Sequence, residues 1–276
     1  MRKNAIHVAE GAASWRATEK PERKAADGVH FAKGAASWRA TEKLGIEGDW
    51  LQNVNLPTFF FGGSLPMKKE TAIAMICAAA QAYRESFIDR RLLFIGYKAS
   101  SRKAATVEVV FHAANFLHLT GVLWLPNSDG SAKEFFNRCI NHKINAKEIT
   151  FAYGGITELK ICALQSLLNS QHLNANMMGS FNGVGVSLCT ENLVGSENAC
   201  MGFVRDQRQN YYSPNTVLAG DVRQWIRDSY RVVAVYRTER NCPFFSELVY
   251  TAKNVDWSRV IYPPKYIALP KPEDQD

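Results

Sequence analysis

The chain has 276 residues, 46% of them hydrophobic, and carries 33 Lys and Arg against 26 Asp and Glu for a net charge of +7. That composition supports a sizeable core, while no stretch approaches the roughly 18 uninterrupted apolar residues of a membrane helix and the start lacks the apolar segment of a secretory signal, so a cytoplasmic protein with no membrane partner is expected. The cysteines are scattered without a CxxC pair and the histidines without HExxH-type spacing, so no disulfide framework, metal site or cofactor is expected.

The segment GAASWRATEK occurs at residues 11–20 and again, letter for letter, at 34–43. Each copy has one bulky apolar residue, Trp15 or Trp38, so neither can bury a face of its own, and two copies fall short of a solenoid. Residues 1–54 therefore read as a polar arm, partly helical or disordered, with a docking peptide anchored by tryptophan as the functional alternative. A linker over 55–68 follows, rich in Pro, Gly and aromatics. The main domain is expected over 69–262, and a Pro-rich, acidic surface tail over 263–276.

Within that domain, KKETAIAMICAAAQAYRESFI has the composition of a helix, with Ala72, Met75, Ile76 and Ala79 on one stripe. RLLFIGYK reads as a first strand. TVEVVFHAANFLHLTGVLWL is β-rich, with a bulge or bend at Ala-Ala-Asn. In a strand, Phe116, His118 and Thr120 would share one face about 7 Å apart, able to flank a phosphate, with Gly121 admitting a ligand; the alternative is an ordinary wet strand face. SAKEFFNRCINH opens with a capping box, Ser131 and Glu134, and TELKICALQSLLNS opens with Thr157 as N-cap. Lys160 in that first turn opposes the helix dipole, as a solvated lysine or as a charge held for a ligand.

Short strands are then expected at 176–181, 184–189, 199–205, 211–216, 231–236 and 248–253, interrupted by a short helix at DVRQWIRD capped by Asp221. The basic residues between Ala199 and Arg240 are all arginines, among them Arg205, Arg208, Arg223 and Arg240. They suit phosphate oxygens, or else pair with neighbouring acids on the surface. Tyr212, Asn215 and Thr216 in YYSPNT could stack on a base and hydrogen-bond a phosphate, or could form a self-satisfied turn. Helices first and strands afterwards indicate α+β.

Taken in order, RLLFIGYK, NFLHLTGV, FFNRC, TELKICALQSLL, ACMGFVRD, YYSPNTVL with DVRQWI, and RVVAVYR resemble the phage-type Barnase/EndoU/colicin/RelE-like nucleases, the fourth such family, from phages and conjugative elements. The resemblance covers about residues 69–255 and leaves out the arm. It implies an α+β fold in which N-terminal helices pack on an antiparallel sheet whose open face holds the site. It implies a metal-independent endoribonuclease, a toxin or effector of a phage or mobile element, acting on RNA, with DNA left open as a substrate. An inhibitor or antitoxin protein is expected of such a nuclease, and a protein partner for the arm follows from the docking alternative for its tryptophans.

Carried over residue by residue, the resemblance marks His118, Thr120, Lys160 and Arg205 as catalytic and Thr157, Tyr212, Asn215 and Thr216 as substrate-binding. Ser213 stands where an apolar residue is expected. The alternative of another class is a non-catalytic RNA-binding or protein-docking module that uses the same sheet face and the Trp-bearing arm.

Overall fold

A computed structural model describes residues 67–126, 130–183, 188–206 and 210–272. The expected arm with its repeat, nearly all of the linker, Arg208 and most of the strand expected at 184–189 lie outside the described residues. The elements are α1 (Lys69–Ser86), β1 (Arg90–Lys98), β2 (Lys103–Val110), α2 (Phe116–Thr120), β3 (Val122–Trp124), α3 (Ala132–Ile140), β4 (Ile149–Phe151) and α4 (Ile156–Leu168). They continue with β5 (Met177–Ser180), β6 (Asn192–Gly195), β7 (Ala199–Arg205), β8 (Tyr212–Ala219), β9 (Tyr230–Glu239) and β10 (Glu247–Thr251).

Helix and strand are mixed as expected, but the sheet is barrel-like. Its strands follow the order β1-β2-β8-β7-β6-β5-β9, and β9 returns to pair with β1 along its length. Six of these seven joints are antiparallel, and β2–β8 is parallel, with Val109 opposite Tyr212. A ring with an odd number of strands cannot alternate direction all the way round, so one parallel joint is a geometric necessity. The expectation of an antiparallel sheet is thereby corrected at the β2–β8 joint. The remaining edge of β9 is divided: Tyr230 and Arg231 pair with β5, and Ala234 to Arg237 pair with β10. A separate two-stranded sheet joins β3 to β4.

One face of the ring packs on the helices. Leu92 and Phe94 of β1, Met201 of β7 and Val232 and Val235 of β9 meet Ile76 and Ala79 of α1 and Ile161 and Leu164 of α4 in one buried cluster. A bulge leaves Val233 without a partner between the pairs Ile95–Ala234 and Gly96–Val232. It shifts the two-residue alternation, so Val232 and Val235 share the helix side while Val233, Ala234 and Tyr236 lie on the other. There they meet Trp257, Val260, Tyr262 and Tyr266 from the C-terminal segment. The segment expected to run over the surface after 262 thus contributes a buried tyrosine. Tyr236 donates to the Pro270 carbonyl at 2.6 Å and lies 2.9 Å from the Tyr262 hydroxyl. Buried Glu108 accepts from Arg91 at 3.0 Å, Lys265 at 2.7 Å and Tyr266 at 2.6 Å.

Local signals in the sequence fare unevenly. Ser131 caps α3 by accepting from the Glu134 amide at 3.2 Å, as the capping box predicts. Asp221 caps as well, though the helix it opens is a single 3-10 turn, Val222–Gln224. Thr157 is not the N-cap of α4: the helix begins earlier, after Gly155. The β-rich reading of 106–125 holds at its two ends, β2 and β3, with the break at Ala-Ala-Asn, and is corrected between them. After β2 the chain makes a 3-10 turn at Ala113–Asn115 and then α2.

Candidate active site

The short helix α2 exists because of what it buries. Phe116 and Leu119, one turn apart, are fully buried. Phe116 stands against Tyr83 of α1 and Phe136 of α3, with ring centroids 5.3 and 5.2 Å away. These aromatic contacts set the rotation of the helix and leave His118 on its half-buried flank. Gly121 ends α2 in the left-handed conformation, φ 68°, which a side chain would strain. His118 and Thr120 accordingly do not share a strand face. Thr120 is buried, its hydroxyl donating to the Leu117 carbonyl at 2.7 Å and accepting from the Val122 amide at 3.3 Å.

Lys160 lies in the first part of α4, where it passes directly beside Gly121: a Cβ placed on that glycine would stand 2.7 Å from Lys160 Cδ. Its ammonium donates to the Thr216 hydroxyl of β8 at 3.2 Å. Burial pushes the Lys160 pKa down to about 8. His118 is held below its ordinary value, first by burial and then by the charge of Lys160. Thr157 binds this corner together. It is fully buried, donates to the Gly121 carbonyl at 2.8 Å and accepts from the Ala152 amide at 2.8 Å. The three elements α2, α4 and β8 therefore meet around His118, Lys160 and Thr216.

The strand β8 reaches this corner irregularly. Gly202 of β7 pairs with Thr216 and Phe203 with Pro214, so Asn215 is the extra residue of a bulge. Bulges of this kind re-aim side chains and recur beside active sites. Asn215 is anchored at both ends of its amide, donating to the Cys189 carbonyl at 2.7 Å and accepting from Thr190 at 3.1 Å. At the start of β8, Tyr212 packs against the helix-side core, and the Arg205 guanidinium lies over its ring, 5.8 Å from the centroid. The eight residues marked in the sequence thus divide into three groups. His118, Lys160 and Thr216 converge, Arg205 and Tyr212 pair four residues up the strand, and Thr120, Thr157 and Asn215 have their hydrogen-bonding groups engaged by the fold.

The arginine run does not form one patch. Arg223 is paired with Asp221, Arg237 with Glu247, and Arg227 and Arg231 donate to backbone carbonyls. Two further residues were not marked from the sequence. His112 heads the 3-10 turn before α2, with its pKa pushed down by burial and by Arg240 against the opposing pull of Asp206 and Asp89. Tyr153 stands 94% exposed just before α4. Neither carries a motif, and only the aromatic-Gly-Gly run at 153–155 hints at a residue displayed on a turn. Among the described residues no group of His, Cys, Asp and Glu has the arrangement of a metal site, and no helix is long and apolar enough to cross a membrane.

Compared with known proteins, the chain finds no match among curated proteins or among solved structures. The family model described as phage-Barnase-EndoU-ColicinE5/D-RelE like nuclease 4 matches residues 75–253. That span runs from within α1 to just past β10 and includes every residue of the corner described above, so the chain belongs to this family of phage nuclease-like domains.

Proposed function

We propose that the protein is an endoribonuclease that cleaves RNA without a metal ion, by attack of a 2′-hydroxyl on the adjacent phosphate. The observation that carries this reading is the pairing of His118 with Lys160 in one partly buried corner, each shifted toward neutrality. At pH 7 His118 is neutral and can take a proton, while Lys160, with a pKa of about 8, is largely charged. These are the protonation states that such a transesterification uses.

The 2′-oxygen forms a bond to phosphorus as its proton passes to His118. The bond from phosphorus to the 5′-oxygen breaks, and that oxygen takes a proton from solvent or from the histidinium. The products are a 2′,3′-cyclic phosphate and a free 5′-hydroxyl. Lys160, supported by Thr216, stabilises charge on the phosphoryl oxygens, and Arg205 contributes from the start of β8. Thr120, Thr157 and Asn215 act by holding α2, α4 and the β8 bulge in place, and Tyr212, packed on the core beneath Arg205, holds that guanidinium at the start of β8.

Purified full-length protein incubated with total RNA in EDTA should give fragments ending in cyclic phosphate. His118→Ala should lower the rate about a hundredfold to ten-thousandfold with an unchanged thermal midpoint. Full activity of that variant would remove His118 from the mechanism, and RNA retarded on a gel but left intact would favour the binding module. As a toxin or effector of a phage or mobile element, working on cytoplasmic RNA and restrained by an inhibitor protein, the wild type should express poorly in ordinary cells. His118→Ala should relieve that defect.

A further inference from the structure

We propose that Tyr153 is a base-stacking residue that holds an RNA nucleotide next to the His118–Lys160 corner. The inference rests on the RNA-directed reading above and adds to it a substrate-binding position. Tyr153 is the most exposed of the large hydrophobic side chains among the described residues, at 94%. It sits on a turn whose next two residues, Gly154 and Gly155, both have left-handed backbones, φ 79° and 75°, conformations that non-glycine residues rarely adopt.

This turn is not a loose excursion. The amide of the preceding residue, Ala152, donates to Thr157 Oγ1, and that hydroxyl donates to the Gly121 carbonyl, each over 2.8 Å. The backbone of Tyr153 is thereby kept within about 10 Å of Gly121, the residue that Lys160 passes on its way to Thr216. An exposed ring on a fixed backbone adds little to folding, but it presents both faces to a flat ligand at small entropic cost. The neighbouring strand surface is apolar too. Leu123 and Leu125 of the β3 region are 49% and 57% exposed, and Leu123 pairs with Thr150 of β4.

A nucleobase satisfies this surface better than a protein side chain does, because the cationic Lys160, which passes Gly121 on its way to Thr216, complements a phosphate attached to that base. Tyr212 cannot supply an equivalent platform, since its ring packs on the core and already lies beneath Arg205.

The test measures the affinity of the full chain for a short single-stranded RNA, with His118→Ala in the background so that the RNA stays intact. Adding Tyr153→Ala should weaken binding about fivefold to a hundredfold, whereas Tyr153→Trp should retain it. An oligonucleotide scanned with one abasic residue should lose affinity for the Tyr153 form at one position only, and the Tyr153→Ala form should be indifferent there. In the wild-type background, Tyr153→Ala should raise KM by a similar factor while leaving kcat nearly unchanged. Unchanged affinity with Tyr153→Ala overturns the proposal, as does an abasic profile identical in the two forms. If wild-type protein binds RNA in the Tyr153-dependent manner but never cleaves it, the stacking inference stands and the nuclease reading falls.

Discussion

Burial lowers the pKa of both His118 and Lys160, and the signs of the two shifts predict a pH profile. Burial and the neighbouring ammonium favour neutral His118, so the base form accumulates as pH rises through a value below the ordinary histidine pKa of about 6.5. Lys160 loses its charge near pH 8. The cleavage rate should therefore rise on the acidic side of neutrality and fall again near pH 8, and Lys160→Met should abolish the alkaline limb while lowering the rate throughout. The same shift has a consequence for stability. A cation whose pKa is lower in the folded state disfavours folding at pH values below about 8, and that penalty disappears only as pH climbs toward the unfolded lysine value of about 10.4. Lys160→Met should consequently raise the unfolding free energy at pH 7 by about 1–3 kcal/mol, read as an increased thermal midpoint in a protein that cleaves more slowly. Thr157 has the opposite profile. Its single buried hydroxyl serves both Gly121 and Ala152, so Thr157→Val should cost about 1–3 kcal/mol.

At the scale of elements, the decisive unit is the five-residue helix α2. The stretch NFLHLTG has apolar residues at 116, 117 and 119, and so short a run fits a strand as well as a turn of helix. The local clue is Gly121, whose position suits a left-handed helix terminus, but the helix is chosen by the aromatic pocket of Tyr83, Phe135 and Phe136 that receives Phe116. Gly121→Ala tests that terminus. The positive φ should cost about 1–2 kcal/mol, and the new methyl must displace the Lys160 side chain, so the alkaline limb of the rate profile should shift along with the thermal midpoint. The bulge at Asn215 likewise escapes a sequence reading. Its signal is only Pro214, which cannot donate to a ladder, and the extra residue becomes visible once β7 supplies the register.

Across the whole molecule, the C-terminal segment completes the fold instead of trailing from it. Leu93, Ile95 and Tyr236 would face water on the outer side of β1 and β9 if Tyr262 and Tyr266 did not cover them. Buried Glu108 would keep only Arg91 of its three partners if the chain stopped short of Lys265. Truncation after Tyr262 should therefore lower the unfolding free energy by at least about 3 kcal/mol, from the apolar area of Tyr266 and the hydrogen bonds of Tyr236 and Glu108. Urea denaturation of the truncated chain against the full chain measures this, and an unchanged midpoint would show the segment to be dispensable.

The sequence by itself determined the helices with strong periodicity and caps, α1, α3 and most of α4, the strands β1, β7, β9 and β10, and the α+β class. These elements follow from short-range patterns, in which a residue's neighbours along the chain already state whether it is buried. It also determined the family, through stretches whose order survives without any structure. Only the tertiary structure decided the closed ring, because strand order and the parallel β2–β8 joint depend on residues a hundred positions apart. The same holds for the conversion of NFLHLTG from strand to helix, and for the convergence of His118, Lys160 and Thr216. Those three residues lie on a one-turn helix, a long helix and a bulged strand, and no spacing along the chain encodes the distance of 3.2 Å between Lys160 and Thr216; packing across the core sets it.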